Sequence, residues 1–177
     1  MSGAVATRIA WSAQCLLDTP LGPMLLARTD RGLAGAWFQN QRHHPGPIPA
    51  PIQAADALLG RAAQQLGEYF RGERTSFELA LDLHGTSFQV DVWLALLAIE
   101  HGDLSSYAQV AVAVGRPRAV RAAGGAIGRN PVSVIVPCHR VVGRAGALTG
   151  YAGGIERKRA LLDIEGAWSG RAQQLPR

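Results

Sequence analysis

The chain has 177 residues, 47% apolar and 18% charged, with a formal net charge of +5. That length allows one compact unit or two small lobes, and that balance excludes a disordered chain, which has too little apolar surface to bury. No run approaches the roughly 20 apolar residues that span a bilayer, the first residues lack a secretory pattern, and two cysteines exclude a disulfide framework. The expected location is the cytoplasm, with Cys15 and Cys138 as free thiols.

Residues 8–17, 24–28 and 33–38 alternate apolar and polar side chains between turn signals at 18–22 and 30–32, which predicts an antiparallel meander. Residues 39–51, rich in Pro, Gly and His, predict a surface loop. The spacing of Leu58, Leu59, Ala62, Leu66 and Tyr69 predicts a helix over 54–70, stopped at Gly72. Residues 77–83 read as one more strand or an extended linker. A further helix is predicted over 87–100, with Ser87 as N-cap and Phe88, Val92, Leu96 and Ile99 as its stripe. The lobe boundary falls near 84–86, giving lobes at 1–85 and 86–167 and a tail at 168–177.

Ser106 and Gln109 match a capping box, in which each side chain satisfies a backbone donor of the other, and so start a helix running to Val114. Gly115 ends it, and Pro117 suits the first turn of a second helix reaching about Ile127. Two short helices joined through glycine form the helix-turn-helix pattern, whose second helix enters a groove of DNA, here bearing Arg118 and Arg121. An ordinary helical hairpin has the same pattern.

Charge separates the halves. Residues 1–100 hold seven arginines against nine acids; residues 101–177 hold eleven basic residues against four acids. From 104 through 155 no acid occurs, while Arg116, Arg118, Arg121, Arg129, Arg140 and Arg144 do. Such a stretch suits a polyanion, because each neutralised phosphate releases counterions and no carboxylate repels the backbone. A coding preference for arginine over lysine explains the residue type but not the missing acids.

Residues 130–136, apolar and β-branched, predict a buried strand or extended segment that delivers Pro137, Cys138, His139 and Arg140. On a regular strand Cys138 and His139 point to opposite faces, so their cooperation requires the backbone to leave strand geometry there. A turn with imidazole and Arg140 close by is expected to favour thiolate over thiol. The bland alternative is a buried cysteine beside a structural histidine, and for Cys15, in an apolar run, that reading is preferred. No histidine stands at a recognised metal-ligand spacing from Cys138.

Pro137-Cys138-His139-Arg140-Val141 resembles the active-site signature of the O6-alkylguanine-DNA alkyltransferases, also called methylated-DNA–protein-cysteine methyltransferases. The resemblance extends over Ser106-Tyr107, the helix-turn-helix with Arg121, Gly124-Gly125-Ala126, Asn130-Pro131, Gly150-Tyr151-Ala152-Gly153-Gly154 and residues 161–166, covering most of 87–167. It implies an α+β fold. The N-terminal lobe would be ribonuclease-H-like, a small antiparallel sheet plus a helix, and the C-terminal lobe mostly helical, with a winged-helix-like helix-turn-helix.

The resemblance also implies a reaction: irreversible repair of DNA, one event per chain, with the alkyl group of an O6-alkylguanine passing to Cys138 after the base is flipped out. His139 would take the thiol proton through a water, Glu165 would orient His139, Asn130 would hold the turn, and Tyr107 would lend its hydroxyl to the guanine N3 and crowd the 3′ phosphate. Arg121 would fill the gap left in the duplex, with Arg118, Ala119, Ala122, Tyr107 and Arg140 as further DNA contacts. Tyr151, Val141, Ala152 and Thr149 would line the pocket, the carbonyls of Cys138 and Val141 accepting the guanine's exocyclic amine.

No cofactor is implied and no metal is expected, since Cys15 stands alone where some members carry zinc ligands. The implied partner is double-stranded DNA containing O6-alkylguanine, with O4-alkylthymine a second candidate substrate; no membrane is implied, and the chain is expected to act as a monomer. Two other readings stay open: a lesion-binding alkyltransferase-like protein without catalysis, which carries another residue in place of the cysteine, and a helix-turn-helix regulator with an incidental cysteine.

Overall fold

Strands β1 (Ala13–Leu17), β2 (Met24–Arg28) and β3 (Leu33–Phe38) form an antiparallel meander in the order of the chain. The structure, a computed structural model, describes residues 8–168, so the expected tail lies outside the described residues except for Trp168. β1 starts later than the alternation predicts. Ser12 N–H still donates to Arg28 O, and Trp11 turns its ring edge-on to Trp37, so 8–12 approach the sheet without joining the ladder.

β3 is buried along its whole length. Its outer edge is satisfied by two separate segments, because Leu33 exchanges hydrogen bonds with Ala80 and Asp82 while Ala36 exchanges them with Pro131 and Ser133. Residues 77–83 are thus an extended linker docked on the sheet, and an otherwise exposed edge is covered. The second segment is the one that leads into Cys138.

Helix α1 (Ala57–Phe70) is capped by Asp56, whose carboxylate accepts from the N–H of Leu58 and Leu59. Its apolar face packs Leu59, Ala62, Leu66 and Tyr69 into the core, each large aliphatic contributing about 1.5 to 3 kcal/mol by burial. Helix α2 (Ser87–Leu96) is capped by Thr86, not by the expected Ser87, because only Thr86 stands three residues before Gln89 and closes a capping box with it. α2 also stops four residues short of the predicted end.

A two-residue strand β4 (Ser105–Ser106) leads into α3 (Tyr107–Ala113), where the Ser106–Gln109 capping box forms as predicted. Gly115, at φ +69°, ends this helix in a conformation that suits glycine. α4 (Val120–Gly128) starts later than the sequence predicts, with Pro117 and Arg118 in the preceding turn and Ala119 as its cap. The Trp93 indole donates to Ala126 O at 2.8 Å, fastening α2 to α4. Strand β5 (Val141–Val142) pairs parallel with β4, and α5 (Ile155–Ile164) closes the fold. The architecture is α+β, a small antiparallel sheet with its helix followed by a mostly helical lobe.

Candidate active site

The segment 130–136 is not a strand. Asn130, directly after α4, accepts from Val132 N–H at 2.9 Å and donates to Val136 O at 2.8 Å. These bonds fold the run into a reverse turn, with Val134 at φ +73° and buried. A β-branched residue in the left-handed region is strained, and a buried apolar seat holds it there. The chain then enters a 3-10 turn over Cys138–Arg140, the departure from strand geometry that cooperation of Cys138 and His139 would require.

Asn130 Nδ2 also lies 3.1 Å from Cys138 Sγ. The sulfur is 5% exposed, beside the residue that follows α4 and its cap, and belongs to the apolar cluster that includes Tyr107 and Tyr151. Burial pushes its thiol up; the Asn130 hydrogen bond, Lys158 and the nearby backbone N–H groups oppose this and do not prevail. The expected resting thiolate is thus corrected: desolvation penalises the charge more than its neighbours stabilise it.

His139 is fully buried, and its Nε2 lies 2.7 Å from Glu165 Oε1. Burial pushes the imidazole down, outweighing the pull of Glu165, so the ring is neutral with its proton on Nε2. Nδ1 then carries the lone pair and has no partner among the described residues. Glu165 is also buried, yet hydrogen bonds from His139, from Arg140 and from Tyr69 hold its carboxyl well below the usual carboxylate range. The Tyr69 hydroxyl donates to Oε1 at 2.6 Å, and Arg140 donates at 2.9 and 3.0 Å.

Two members of this network lie outside the sequence expectations. Tyr69 was legible only as an apolar position on α1; its hydroxyl links that helix to the Glu165 carboxylate. Arg140 was expected on DNA. Its guanidinium is buried, paired with Glu165 and bonded to Ile99 O, so it belongs to this buried network and not to a DNA-facing surface.

Across the site, the Tyr107 hydroxyl donates to Thr149 O at 2.9 Å, and burial keeps the phenol protonated. Gly150, at φ +69°, allows this approach, since a Cβ there would meet the Tyr107 oxygen at 2.7 Å. Tyr151 is buried with its hydroxyl unpartnered among the described residues; the neighbouring Ser133 hydroxyl donates instead to Gln41. Val141 is buried, its N–H donating to Cys138 O and its carbonyl accepting from Lys158 Nζ, so both carbonyls assigned to the guanine amine already carry one donor and keep a second lone pair.

A cleft runs between α4, where Gly124, Gly125 and Gly128 line it, and the loop carrying Tyr151 and Ala152; Arg42 and His43 from the N-terminal lobe form its far rim. Arg42 N–H donates to Ala152 O, fixing that rim to the loop. On α4 and the turn before it, Arg118, Arg121 and Ala122 are exposed and Ala119 is half-buried. Among the described residues, no three His, Cys, Asp or Glu side chains come together as metal ligands, and no helix is long and apolar enough to cross a membrane.

Two family models match the chain. The 6-O-methylguanine DNA methyltransferase ribonuclease-like domain matches residues 14–83, and the DNA binding domain of the same name matches 87–167. A methylated-DNA–protein-cysteine methyltransferase of Mycobacterium tuberculosis is 46% identical over 154 residues, covering 84% of this chain and 89% of that relative. A constitutive enzyme of the same name from Bacillus subtilis is 43% identical over 161 residues, covering 84% and 92%. The crystal structure of M. tuberculosis OGT in complex with DNA superposes with a TM-score of 0.81 at 44% identity, covering 86% of this chain and 92% of that one. The chain belongs to the 6-O-methylguanine DNA methyltransferase family.

Proposed function

We propose that this chain repairs DNA by moving a methyl or larger alkyl group from the O6 of guanine onto the sulfur of Cys138, once per molecule. The observation that carries the assignment of the acceptor is the Asn130 amide at 3.1 Å from the Cys138 sulfur, on a 3-10 turn whose next residue is the neutral, Glu165-bonded His139. The exposed arginines of the acid-free stretch from 104 through 155 support contact with the duplex.

In this reading α4 lies along the minor groove and Arg121 fills the space of the extruded nucleotide, with Arg118, Ala119 and Ala122 beside it. Extrusion is required because the alkyl carbon inside a stacked duplex is not open to attack in line. The base enters the cleft between α4 and the loop carrying Tyr151 and Ala152. The sulfur gives its proton through a water to Nδ1 of His139, and Glu165 stabilises the resulting imidazolium. The S–C bond forms as the bond from carbon to O6 breaks, and the electron pair leaves with guanine. Tyr107 releases Thr149 O and donates to the guanine N3 as negative charge builds there.

The product is a thioether. No group in this scheme removes it, so the protein is consumed. No cofactor is required, because the nucleobase is itself the leaving group. The cytoplasmic location belongs to the same proposal, supported by the two free thiols. Cys138→Ala tests the assignment: transfer is expected to vanish while duplex affinity, and its decline with salt, stay those of the parent. Residual transfer in that variant would assign the acceptor elsewhere.

A further inference from the structure

Lys158 is the one lysine of the chain, and α5 buries it to 1% exposure on the same face as Leu161 and Leu162. An ammonium so placed normally has a carboxylate partner. Here none lies within reach among the described residues. Nζ donates instead to Val141 O at 2.5 Å and to Thr149 O at 2.8 Å. Those carbonyls close the ends of the segment between the Cys138 turn and the pocket wall. Each is tied to a functional group: Val141 N–H donates to Cys138 O, and Thr149 O also accepts from Tyr107.

The hydrogen bonds explain a donor at this position. They do not explain a charge, since a neutral amide would satisfy two carbonyls without burying a cation. The surroundings hold one group that acquires negative charge during the reaction. Tyr107 and Tyr151 are phenols kept protonated by burial, His139 is neutral, Arg140 is paired with Glu165, and Arg157 turns away to Leu21 O and Gly153 O. The remaining group is the sulfur of Cys138, on the turn that Val141 N–H closes, and Lys158 holds the carbonyl of the same Val141. A negative sulfur and the ammonium favour each other, while the same ammonium opposes an imidazolium at His139.

We propose that Lys158 is a positioning residue for alkyl transfer: its buried ammonium clamps the carbonyls of Val141 and Thr149 and balances the thiolate of Cys138 as the proton departs. This rests on Cys138 being the alkyl acceptor. Burial brings Lys158 down to about 8, opposed by the sulfur, so the charge is lost just above neutral pH. Hydroxide alone would speed a thiol reaction as pH rises; loss of the ammonium slows it. The two effects differ in sign.

A sole lysine permits a direct test in the full-length protein. Labelling lysine with 13C at Cε gives one side-chain signal, whose titration is followed by NMR, while single-turnover transfer from a saturating O6-methylguanine duplex is timed over the same pH range. The expected result is a fall in rate of about tenfold or more that tracks the lysine midpoint. A rate that stays level or climbs through that midpoint overturns the proposal. Lys158→Gln, which keeps donors and loses the charge, is expected to bind duplex normally, to transfer about tenfold or more slowly, and to lack the alkaline fall. Transfer by a folded Lys158→Gln at the parent rate also overturns it. If that variant does not fold, the two titrations of the parent still decide. Absence of any alkyl on Cys138 in the parent would instead remove the reading on which the proposal rests.

Discussion

Asn130 donates from Nδ2 to the sulfur of Cys138 across 3.1 Å, and the same side chain holds the turn by accepting from Val132 N–H and donating to Val136 O. One residue therefore fixes both the backbone that presents Cys138 and the polarity around its sulfur. Asn130→Ala leaves buried backbone groups of Val132 and Val136 without partners, at about 1 to 3 kcal/mol each. A lowered urea midpoint together with slower single-turnover transfer is expected. An unchanged midpoint would show that water satisfies those groups.

Alkylation should disturb the same contact. The added group occupies space beside a buried sulfur whose surroundings hold Asn130 at hydrogen-bond distance, and packed interiors do not yield freely. The methylated protein is expected to melt lower than the free protein, by several degrees if the loss is about 1 to 2 kcal/mol. Differential scanning calorimetry before and after reaction with an O6-methylguanine duplex measures this directly. A higher melting point after reaction would contradict it.

Glu165 gathers Tyr69, His139 and Arg140 on one buried carboxylate. Glu165→Gln removes the charge, leaves Arg140 buried without a counter-ion at about 3 to 5 kcal/mol, and lets His139 take the wrong tautomer. Transfer is expected to fall by roughly a hundredfold or more, the range of a lost general base. Tyr69→Phe removes one donor only, so its stability loss should be about 1 to 3 kcal/mol and its rate loss smaller than that of Glu165→Gln. The reverse order of rate losses would place Tyr69 at the centre of the relay.

Acid should unfold the protein in two stages. His139 is held below the ordinary imidazole value of roughly 6.5, so as pH falls through that value the unfolded chain binds a proton that the folded one refuses. Stability drops there. Glu165 is likewise held below the carboxylate range, so the unfolded chain gains protons again near pH 4 to 5 and stability drops further, roughly as that linkage requires. Chemical denaturation from pH 8 to 4 tests both, and His139→Gln should abolish the earlier stage. Stability that rises on acidification through pH 6.5 would reverse the sign assigned to His139.

Arg121 is exposed on α4, so Arg121→Ala should change stability by no more than about 0.5 kcal/mol. Its loss is expected to slow transfer strongly on a fully paired lesion and far less when the lesion lies opposite a mismatch, where extrusion costs less. Equal losses on both duplexes would remove the gap-filling role.

The local chemistry of the fold was legible in the sequence where a short-range device specifies it. The Ser106–Gln109 capping box and Gly115 marked α3 and its end, and the alternation over 24–38 marked β2 and β3. Neighbouring signals misled by a few residues, since Thr86 and Ser87 are both capping types and only the distance to Gln89 separates them. The run 130–136 has strand propensity throughout, yet the Asn130 side chain outbids a ladder for its backbone groups. Periodicity put Tyr69 on a buried face without saying what its hydroxyl meets. Lys158 did leave a trace: a lone lysine three and four residues before Leu161 and Leu162 stands on an apolar stripe. The thiolate expectation failed because the immediate neighbours favour the charge while burial, a property of the whole fold, opposes it more strongly.

The most direct test of the central claim is mass spectrometry of peptides after incubation with a duplex carrying one O6-methylguanine. The account predicts that the peptide containing Cys138 gains the mass of one methylene in proportion to lesion consumed, reaching one per chain, while the Cys15 peptide stays unchanged. Consumption of the lesion with no gain on Cys138, or a gain on Cys15 instead, would contradict it.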